Sequence, residues 1–253
     1  MTPATTGDSG RARDGADDGR DRAGLAFDAA YYDANRQDRD RPALLLYARL
    51  ARRAIRGGPV LDFGCGTGFM SRRLARSFET YAFDASPFAR SRVASTSPTT
   101  RVVESTAEIG QSVLGGIVSL HVLEHIDRRA LPAVLADWTR MLRTGGRCLV
   151  VVPERDGLGH RLKRDRWIGF TDPTHVTLAP RGEWHAIFER AGLRVVEEGT
   201  DGLWDFPYAF PSWSAPRNAL HRLRTGAQFA AGRLLLRPGQ GESAVFVLER
   251  DGD

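Results

Sequence analysis

A glycine-rich segment that directly follows an apolar run constrains the fold of this chain more than any other feature. The segment runs from Val60 to Gly68, carries Gly64 and Gly66 in between, and is followed by helical spacing from Phe69. This order predicts a buried strand, a tight turn and a helix start. Glycines in such a turn let the backbone approach a ligand closely, and the amides at the helix start are available as donors.

Short apolar runs and stretches of helical spacing alternate along the rest of the chain. Strands are predicted at residues 58–64, 80–84, 101–104, 116–120, 147–152, 193–198 and 244–249. Helices are predicted at 69–77 and 87–94, around 131–142, and between Pro180 and Gly192. This alternation predicts an α/β fold with a mostly parallel sheet, covered by helices on both faces, and a ligand at the carboxyl ends of the strands.

The length of 253 residues suits one α/β domain with some additions. Residues 1–24 are polar and aperiodic, which predicts a disordered tail, and residues 25–253 form the predicted domain. Three parts of it lie outside the strand–helix alternation. They are a helical lid at 25–57, an irregular insert on the rim at 154–176, and an aromatic, then amphipathic insert at 201–241, before the last strand.

Composition excludes several classes of protein. The longest apolar runs are strand-sized and the first 25 residues hold no apolar stretch, so a cytoplasmic protein without a transmembrane segment is predicted. The net charge of +5 comes almost wholly from arginine, with Lys163 as the single lysine, and does not by itself predict a nucleic-acid partner. Cys65 and Cys148 fit neither a disulfide framework nor metal-ligand spacing, so no metal site is predicted.

The glycine turn departs from the dinucleotide fingerprint of NAD enzymes. That fingerprint places its third glycine at the position of Phe69, whereas the third glycine here is Gly68. Asp62, just before the turn, can meet the cationic amino group of a methionine moiety. Asp84, at the end of the second strand, can accept both hydroxyls of a ribose, which indicates nucleoside binding without choosing between cofactors.

The residues from Asp62 to Gly68, Asp84, and the segment 119–125 together resemble the class I S-adenosylmethionine-dependent methyltransferase superfamily. Within it they are most similar to the branch of ubiquinone-biosynthesis-type and natural-product methyltransferases. The resemblance covers roughly residues 27–200 and the last strand. It implies a Rossmann-like three-layer α/β/α sandwich whose seven-stranded, mostly parallel sheet has one antiparallel strand. It also implies S-adenosylmethionine as the cofactor and S-adenosylhomocysteine as the product.

The positions that match the family pattern give a set of candidate cofactor contacts, to which an aromatic residue of the lid is added. The set comprises Asp62, Gly64, Cys65, Gly66, Gly68, Phe69, Asp84, Ala85, Ala107, Glu108, His121 and Tyr32. For Ala107 and Glu108 a loop cap is an equally good interpretation, and for Tyr32 the alternative is plain packing.

His125, His175 and Asp172 are the candidate catalytic residues. His125 follows the fourth strand and His175 the fifth, so both belong to the rim where a substrate meets the cofactor. Either histidine can serve as the general base for a hydroxyl acceptor, and Asp172 can orient a histidine or bind substrate. The alternatives are a loop-ordering role for His125 and a simple turn at Asp172. His185 and His221 are predicted to be solvated on helix faces.

These features favour an enzyme that methylates a small molecule, most simply at oxygen, by in-line displacement. The alternatives are an RNA or protein methyltransferase and a cofactor-binding subunit without activity. The basic cluster within 155–166 suits an anionic or carrier-linked acceptor, although a solvated surface explains it as well. The amphipathic stretch from Ala215 to Leu236 suits peripheral membrane contact, dimerisation or core packing, and the oligomeric state is left open.

Overall fold

A computed structural model describes residues 27–34, 39–204 and 219–252. Its centre is a seven-stranded sheet in the order β3-β2-β1-β4-β5-β7-β6. The strands are β1 (Val60–Phe63), β2 (Thr80–Phe83), β3 (Arg101–Val102), β4 (Leu114–Leu120), β5 (Leu142–Pro153), β6 (Leu193–Thr200) and β7 (Ser243–Arg250). Strand β7 runs antiparallel to both of its neighbours, and the pairings among β1 to β5 are parallel. The predicted sheet with one antiparallel strand is confirmed.

Helices flank both faces of this sheet. They are α1 (Ala29–Ala34), α2 (Pro42–Ala54), α3 (Phe69–Leu74), α4 (Pro87–Thr96), α5 (Leu131–Met141), α6 (Leu158–Lys163), α7 (Ile168–Thr171), α8 (Arg181–Arg190) and α9 (Ala219–Ala231). Short 3₁₀ turns occur at Thr106–Glu108, Leu123–His125 and Arg164–Arg166. Pro42, Pro87 and Pro132 stand in the first turns of their helices, where a missing N–H costs nothing.

Alternation along the strands divides the core into two layers, because successive side chains point to opposite faces. Val60 and Val118 pack with α2 and α3 on one face. On the other face, Leu61 and Ile117 pack with α5 and α8, and Trp138 is fully buried there. The three-layer α/β/α arrangement therefore follows from apolar residues on both sides of each central strand.

Two details of the sequence-based prediction are wrong. Residues 154–176 are not irregular throughout, since α6, a 3₁₀ turn and α7 lie within them. The histidines predicted to be solvated are both half-buried. His185 lies 3.0 Å from a carboxylate oxygen of Glu198, and burial lowers the pKa of His221.

The amphipathic stretch near the carboxyl end is divided between packing and exposure. In and after α9, Phe229 and Leu234 pack against the core, whereas Leu220 and Leu223 are exposed. Membrane contact or dimerisation through those leucines stays a prediction. Residues 1–24, for which disorder is predicted, and most of the aromatic segment after Trp204 lie outside the described residues. Over the described ranges, the helices are too short or too polar to cross a membrane.

Candidate functional site

The order of the strands places a crevice at the carboxyl ends of β1 and β4. From β1 the chain builds outward to β2 and β3 on one side, then returns to form β4 on the other. Loops that leave β1 and β4 therefore diverge, and in open α/β sheets ligands bind at such a switch point. The glycine turn follows β1, and the segment from His121 to His125 follows β4.

These two loops touch each other, and glycine is required at the contact. Gly64 has φ +75°, and a Cβ at this position would lie 2.2 Å from a methyl carbon of Val122. Gly66 and Gly68 also have positive φ. The backbone of the turn can therefore pack directly against the segment that carries the candidate catalytic histidine.

Asp84 ties the turn to the end of β2. Its carboxylate accepts the Gly66 N–H and the Ser86 N–H, both at 2.8 Å, one on each oxygen. A carboxylate oxygen can accept more than one hydrogen bond, so both oxygens still have a lone pair for a further donor. Burial raises the pKa of Asp84, and these two backbone donors oppose that shift.

Asp62 contributes a buried carboxylate to a narrow cavity beside the turn. Its Oδ2 accepts the Ser71 hydroxyl at 2.6 Å, and burial raises the pKa of Asp62 to about 7. The cavity is also lined by Gly64 and Gly66 and by two arginines, Arg39 and Arg41. One cavity thus offers a carboxylate and guanidinium groups, which suits the ammonium and the carboxylate of an amino acid.

The raised pKa of Asp62 predicts a pH-dependent gain in stability for Asp62→Asn. Folding favours protonated Asp62, so the stability that this group contributes is present at low pH and is lost as pH rises toward about 7. The shift from 3.8 to about 7 corresponds to about 4 kcal/mol. Urea denaturation of the protein without cofactor is expected to show that the free energy of unfolding of Asp62→Asn, relative to wild type, increases from pH 5 to pH 8. An equal difference at both pH values would contradict the buried-carboxylate description.

An N-terminal segment, residues 27–34, crosses from the cofactor side of the crevice to the histidine side. The Phe27 carbonyl accepts the Ser86 hydroxyl at 2.5 Å, and the Tyr31 hydroxyl donates to Asp172 Oδ2 at 3.2 Å. Tyr32 is buried, and its ring lies 3.4 Å from the point where a Cβ on Gly66 would stand. The segment therefore covers the glycine turn and contacts the rim on both sides.

The three candidate catalytic residues, His125, His175 and Asp172, lie together on the histidine side. The two imidazole centroids are 4.7 Å apart, and the side chains of His175 and Asp172 are only 7% and 4% exposed. The backbone explains the juxtaposition, because the Glu124 carbonyl accepts the N–H groups of Val176 and Thr177, both at 2.9 Å. These bonds join the turn after β4 to the loop that carries His175.

A hydrogen-bond relay fixes the orientation of His125. The Thr174 hydroxyl donates to Asp172 Oδ1, so its lone pair accepts the N–H at Nδ1 of His125, 2.9 Å away. The second nitrogen of the ring, Nε2, then carries the free lone pair. Burial lowers the pKa of His125, and nearby His175 lowers it further, although Glu124 opposes the shift. A neutral ring is the form that can accept a proton.

Glu124 is a member of this cluster that the sequence analysis missed. Its side chain is fully buried, and one of its oxygens lies 3.4 Å from Nδ1 of His121. Burial alone raises the pKa of Glu124, but the nearby imidazoles, His121 first, outweigh it and hold the pKa below its ordinary value. His121 itself has φ +56°, a left-handed conformation that is uncommon for a non-glycine residue and clusters at functional sites.

The remaining candidates lie around the glycine turn and after β3. Cys65 is buried, with its thiol donating to the Gly66 carbonyl at 3.5 Å, and Ala85 is exposed beyond β2. Glu108 caps the 3₁₀ turn after β3, since its carboxylate accepts the N–H groups of Glu104 and Ser105. The loop cap that was the alternative for Ala107 and Glu108 is therefore present, and a contact from them to an adenine ring stays a prediction.

Comparison with known families identifies the domain. A family model described as a methyltransferase domain matches residues 32–198. The chain belongs to this family. No curated protein sequence matches the methyltransferase significantly. The branch of ubiquinone-biosynthesis-type and natural-product enzymes therefore stays a prediction.

Solved structures with the same fold cover nearly the whole methyltransferase. An S-adenosylmethionine-dependent methyltransferase from Archaeoglobus fulgidus is 18% identical, with a TM-score of 0.59 over 87% of this chain and 99% of its own. Magnesium protoporphyrin IX methyltransferase from Synechocystis PCC 6803, with bound S-adenosylhomocysteine, is 14% identical (TM-score 0.59; 91% and 99% covered). The Burkholderia thailandensis 1,6-didemethyltoxoflavin-N1-methyltransferase, bound to 1,6-didemethyltoxoflavin and S-adenosylhomocysteine, is 16% identical (TM-score 0.55; 92% and 87% covered). At these identities the likeness shows the fold.

The cofactor of the methyltransferase is S-adenosylmethionine, and the residues in the crevice fit it. The cavity that holds Asp62, Arg39 and Arg41 has the charges of the amino-acid end. Asp84 has acceptor capacity for ribose hydroxyls, and Gly66 leaves room for a close approach between them. When bound, the cofactor supplies a methyl group already activated on a sulfonium, so the protein has to align the acceptor and manage its proton.

Proposed function

We propose that this methyltransferase transfers the methyl group to an oxygen of a small-molecule acceptor held between the glycine turn and the histidine cluster. The observation that carries the proposal is the pair of half-buried imidazoles, His125 and His175, whose rings lie 4.7 Å apart on the rim next to the turn. A hydroxyl nucleophile gains from a general base that removes its proton, by about 10²–10⁴-fold.

The roles of the residues follow from their positions. Asp62 would hold the amino-acid end of the cofactor, Asp84 would hold its ribose, and Tyr32 would close over the turn. His125, oriented by Thr174, presents a neutral Nε2 to the acceptor. His175 donates from Nδ1 to the Gly169 carbonyl at 3.1 Å, which leaves its Nε2 free in the same way. Either nitrogen can then take the proton of the acceptor hydroxyl during the displacement.

The enclosure of the site favours a small acceptor over RNA or protein. Residues 27–34 lie across the crevice, and Tyr31 closes it by its bond to Asp172. A macromolecule would have to displace this segment to reach the histidine cluster. The exposed basic residues within 155–166 lie in and around α6 and the 3₁₀ turn that follows it, ahead of His175 in the chain, and suit an acceptor with a phosphate or carboxylate.

Transfer of a labelled methyl group tests the proposed acceptor. The protein would be incubated with S-adenosylmethionine that carries a deuterated methyl group and with fractionated extract of the source cells, and mass spectrometry would follow the label. We expect label on an oxygen of a small molecule. The Asp84→Ala variant is the matched control, because it retains the histidine cluster but lacks the ribose acceptor. Label found only in RNA or protein would contradict the small acceptor, and label on nitrogen would contradict the oxygen.

A further inference from the structure

The carboxylate of Glu124 is buried without a hydrogen bond. Both oxygens are shielded from solvent and have no hydrogen-bond partner within the described ranges. Nδ1 of His121 lies 3.4 Å from Oε1 of Glu124 without forming a hydrogen bond. A buried charged group without partners is costly, and buried charges are normally paired or coordinate a metal. The nearby imidazoles of His121, His125 and His175 offset its charge, but both oxygens retain lone pairs that can bind a metal ion.

The imidazole rings of His125 and His175 lie with their centroids 4.7 Å apart, and a hydrogen bond at Nδ1 holds each ring. Nδ1 of His125 is held by Thr174, and Nδ1 of His175 is held by the Gly169 carbonyl. Metal-binding histidines nearly always donate their other ring N–H to such a partner, because this selects the tautomer and aims the lone pair. Both rings are thus set with Nε2 as the available ligand atom.

We propose that Glu124, His125 and His175 bind a divalent transition-metal ion. One ligand atom from each of the three residues lies within 4.8 Å of those of the other two. Ligands around a tetrahedral Zn²⁺ at ~2.1 Å are roughly 3.4 Å apart. Small side-chain rotations would therefore close the cluster onto an ion.

The ligand types indicate which ions fit and what the site can do. Two histidines and one carboxylate bind Zn²⁺ in catalytic sites and Fe²⁺ in sites that keep open positions, whereas Mg²⁺ and Ca²⁺ prefer oxygen ligands. Three protein ligands leave at least one position for an oxygen of the acceptor. A metal ion lowers the pKa of a bound hydroxyl, as it lowers that of bound water, so the proton can leave to solvent.

The catalytic role of the metal ion rests on the proposed function, because the metal site and the histidine base use the same side chains. The Nε2 lone pairs cannot hold a proton and a metal at once, so a bound ion would replace the histidine base as the means of activating the hydroxyl. Binding of the ion itself needs neither cofactor nor acceptor. Failure of metal binding would leave the histidine base standing, and failure of methyl transfer would leave the metal site standing.

Calorimetric titration with Zn²⁺ alone tests the site. The protein is dialysed against chelator and carries no histidine tag, because a tag would bind the probe. We expect one ion per chain and a higher melting temperature with Zn²⁺. Glu124→Gln and His175→Ala are each expected to weaken binding by more than the ~10–100-fold that loss of an outer partner costs. His185→Ala is the control, because that ring pairs with Glu198 outside the cluster, and it is expected to bind like wild type.

Substitutions of Thr174 test whether metal binding depends on the hydrogen bond that orients His125. Thr174→Val keeps the shape of the side chain but loses the acceptor for Nδ1 of His125, and we expect Zn²⁺ to bind ~10–100-fold more weakly. Thr174→Ser retains the hydroxyl and is expected to restore wild-type binding. Circular dichroism without metal confirms that each variant is folded. No one-to-one binding by wild type, or equal binding by folded Glu124→Gln, would overturn the proposal.

Discussion

Asp84→Ala is expected to weaken the binding of S-adenosylmethionine by two to four orders of magnitude. Each hydrogen bond to a charged group contributes about 1.5–3 kcal/mol, and the carboxylate of Asp84 is placed to accept two ribose hydroxyls. The variant also loses the acceptor for the N–H groups of Gly66 and Ser86, so the turn itself is less ordered. Calorimetric titration with the cofactor measures the loss directly.

The control for this variant removes a carboxylate elsewhere. Asp251 follows β7, which runs antiparallel, so it lies at the opposite end of the sheet from the crevice, where it pairs with Arg194. Asp251→Ala is expected to bind the cofactor like wild type. Melting temperatures without ligand would show that both variants are folded. Wild-type affinity in a folded Asp84→Ala variant would mean that the ribose is bound elsewhere.

Gly64→Ala is expected to give the largest loss of stability among single glycine substitutions in the turn. The new methyl group would meet Val122 at 2.2 Å, and the backbone has φ +75°, which disfavours side chains. The left-handed conformation costs about 1–2 kcal/mol and forced overpacking about 1–3 kcal/mol more. Urea denaturation is therefore expected to show a loss of about 2–5 kcal/mol.

Two further variants separate the steric cause from the backbone cause. In Gly64→Ala/Val122→Ala the clash is relieved, and we expect the double variant to recover more than additivity predicts. Gly182→Ala, in the first turn of α8, meets nothing within 4 Å and is expected to be neutral or stabilising. If Gly64→Ala stayed within 1 kcal/mol of wild type, the contact between the turn and the segment after β4 would be wrong.

The fold could be predicted from the sequence wherever periodicity extends over a full element. The apolar run of β4 is buried on both faces of the sheet, the helical spacing of α5 buries one side of that helix, and both elements are present. The prediction failed between 154 and 176 because α6 and α7 have only six and four residues. A helix of one turn or little more shows no period of 3.6, so its presence is decided by packing.

The site could be predicted in part. Asp62 and the glycines are recognisable because the backbone requirement is local. Glu124, by contrast, is hydrogen-bonded through its carbonyl to the loop of His175, some fifty residues later in the chain. The signal that could have found it is a carboxylate within an apolar stretch, between Leu123 and Ile126. The strain at His121 depends on the exit from β4 and leaves no trace in the sequence.

The central claim is that the glycine turn and the histidine cluster form one active site. A crystal structure of the protein with S-adenosylhomocysteine tests this most directly, through the distance from the sulfur to Nε2 of His125 and His175. An acceptor atom must fit between the methyl group and a base, so we predict a separation of about 8 Å or less from at least one ring. A sulfur that faces away from both histidines, with protein side chains filling the space between, would contradict the account.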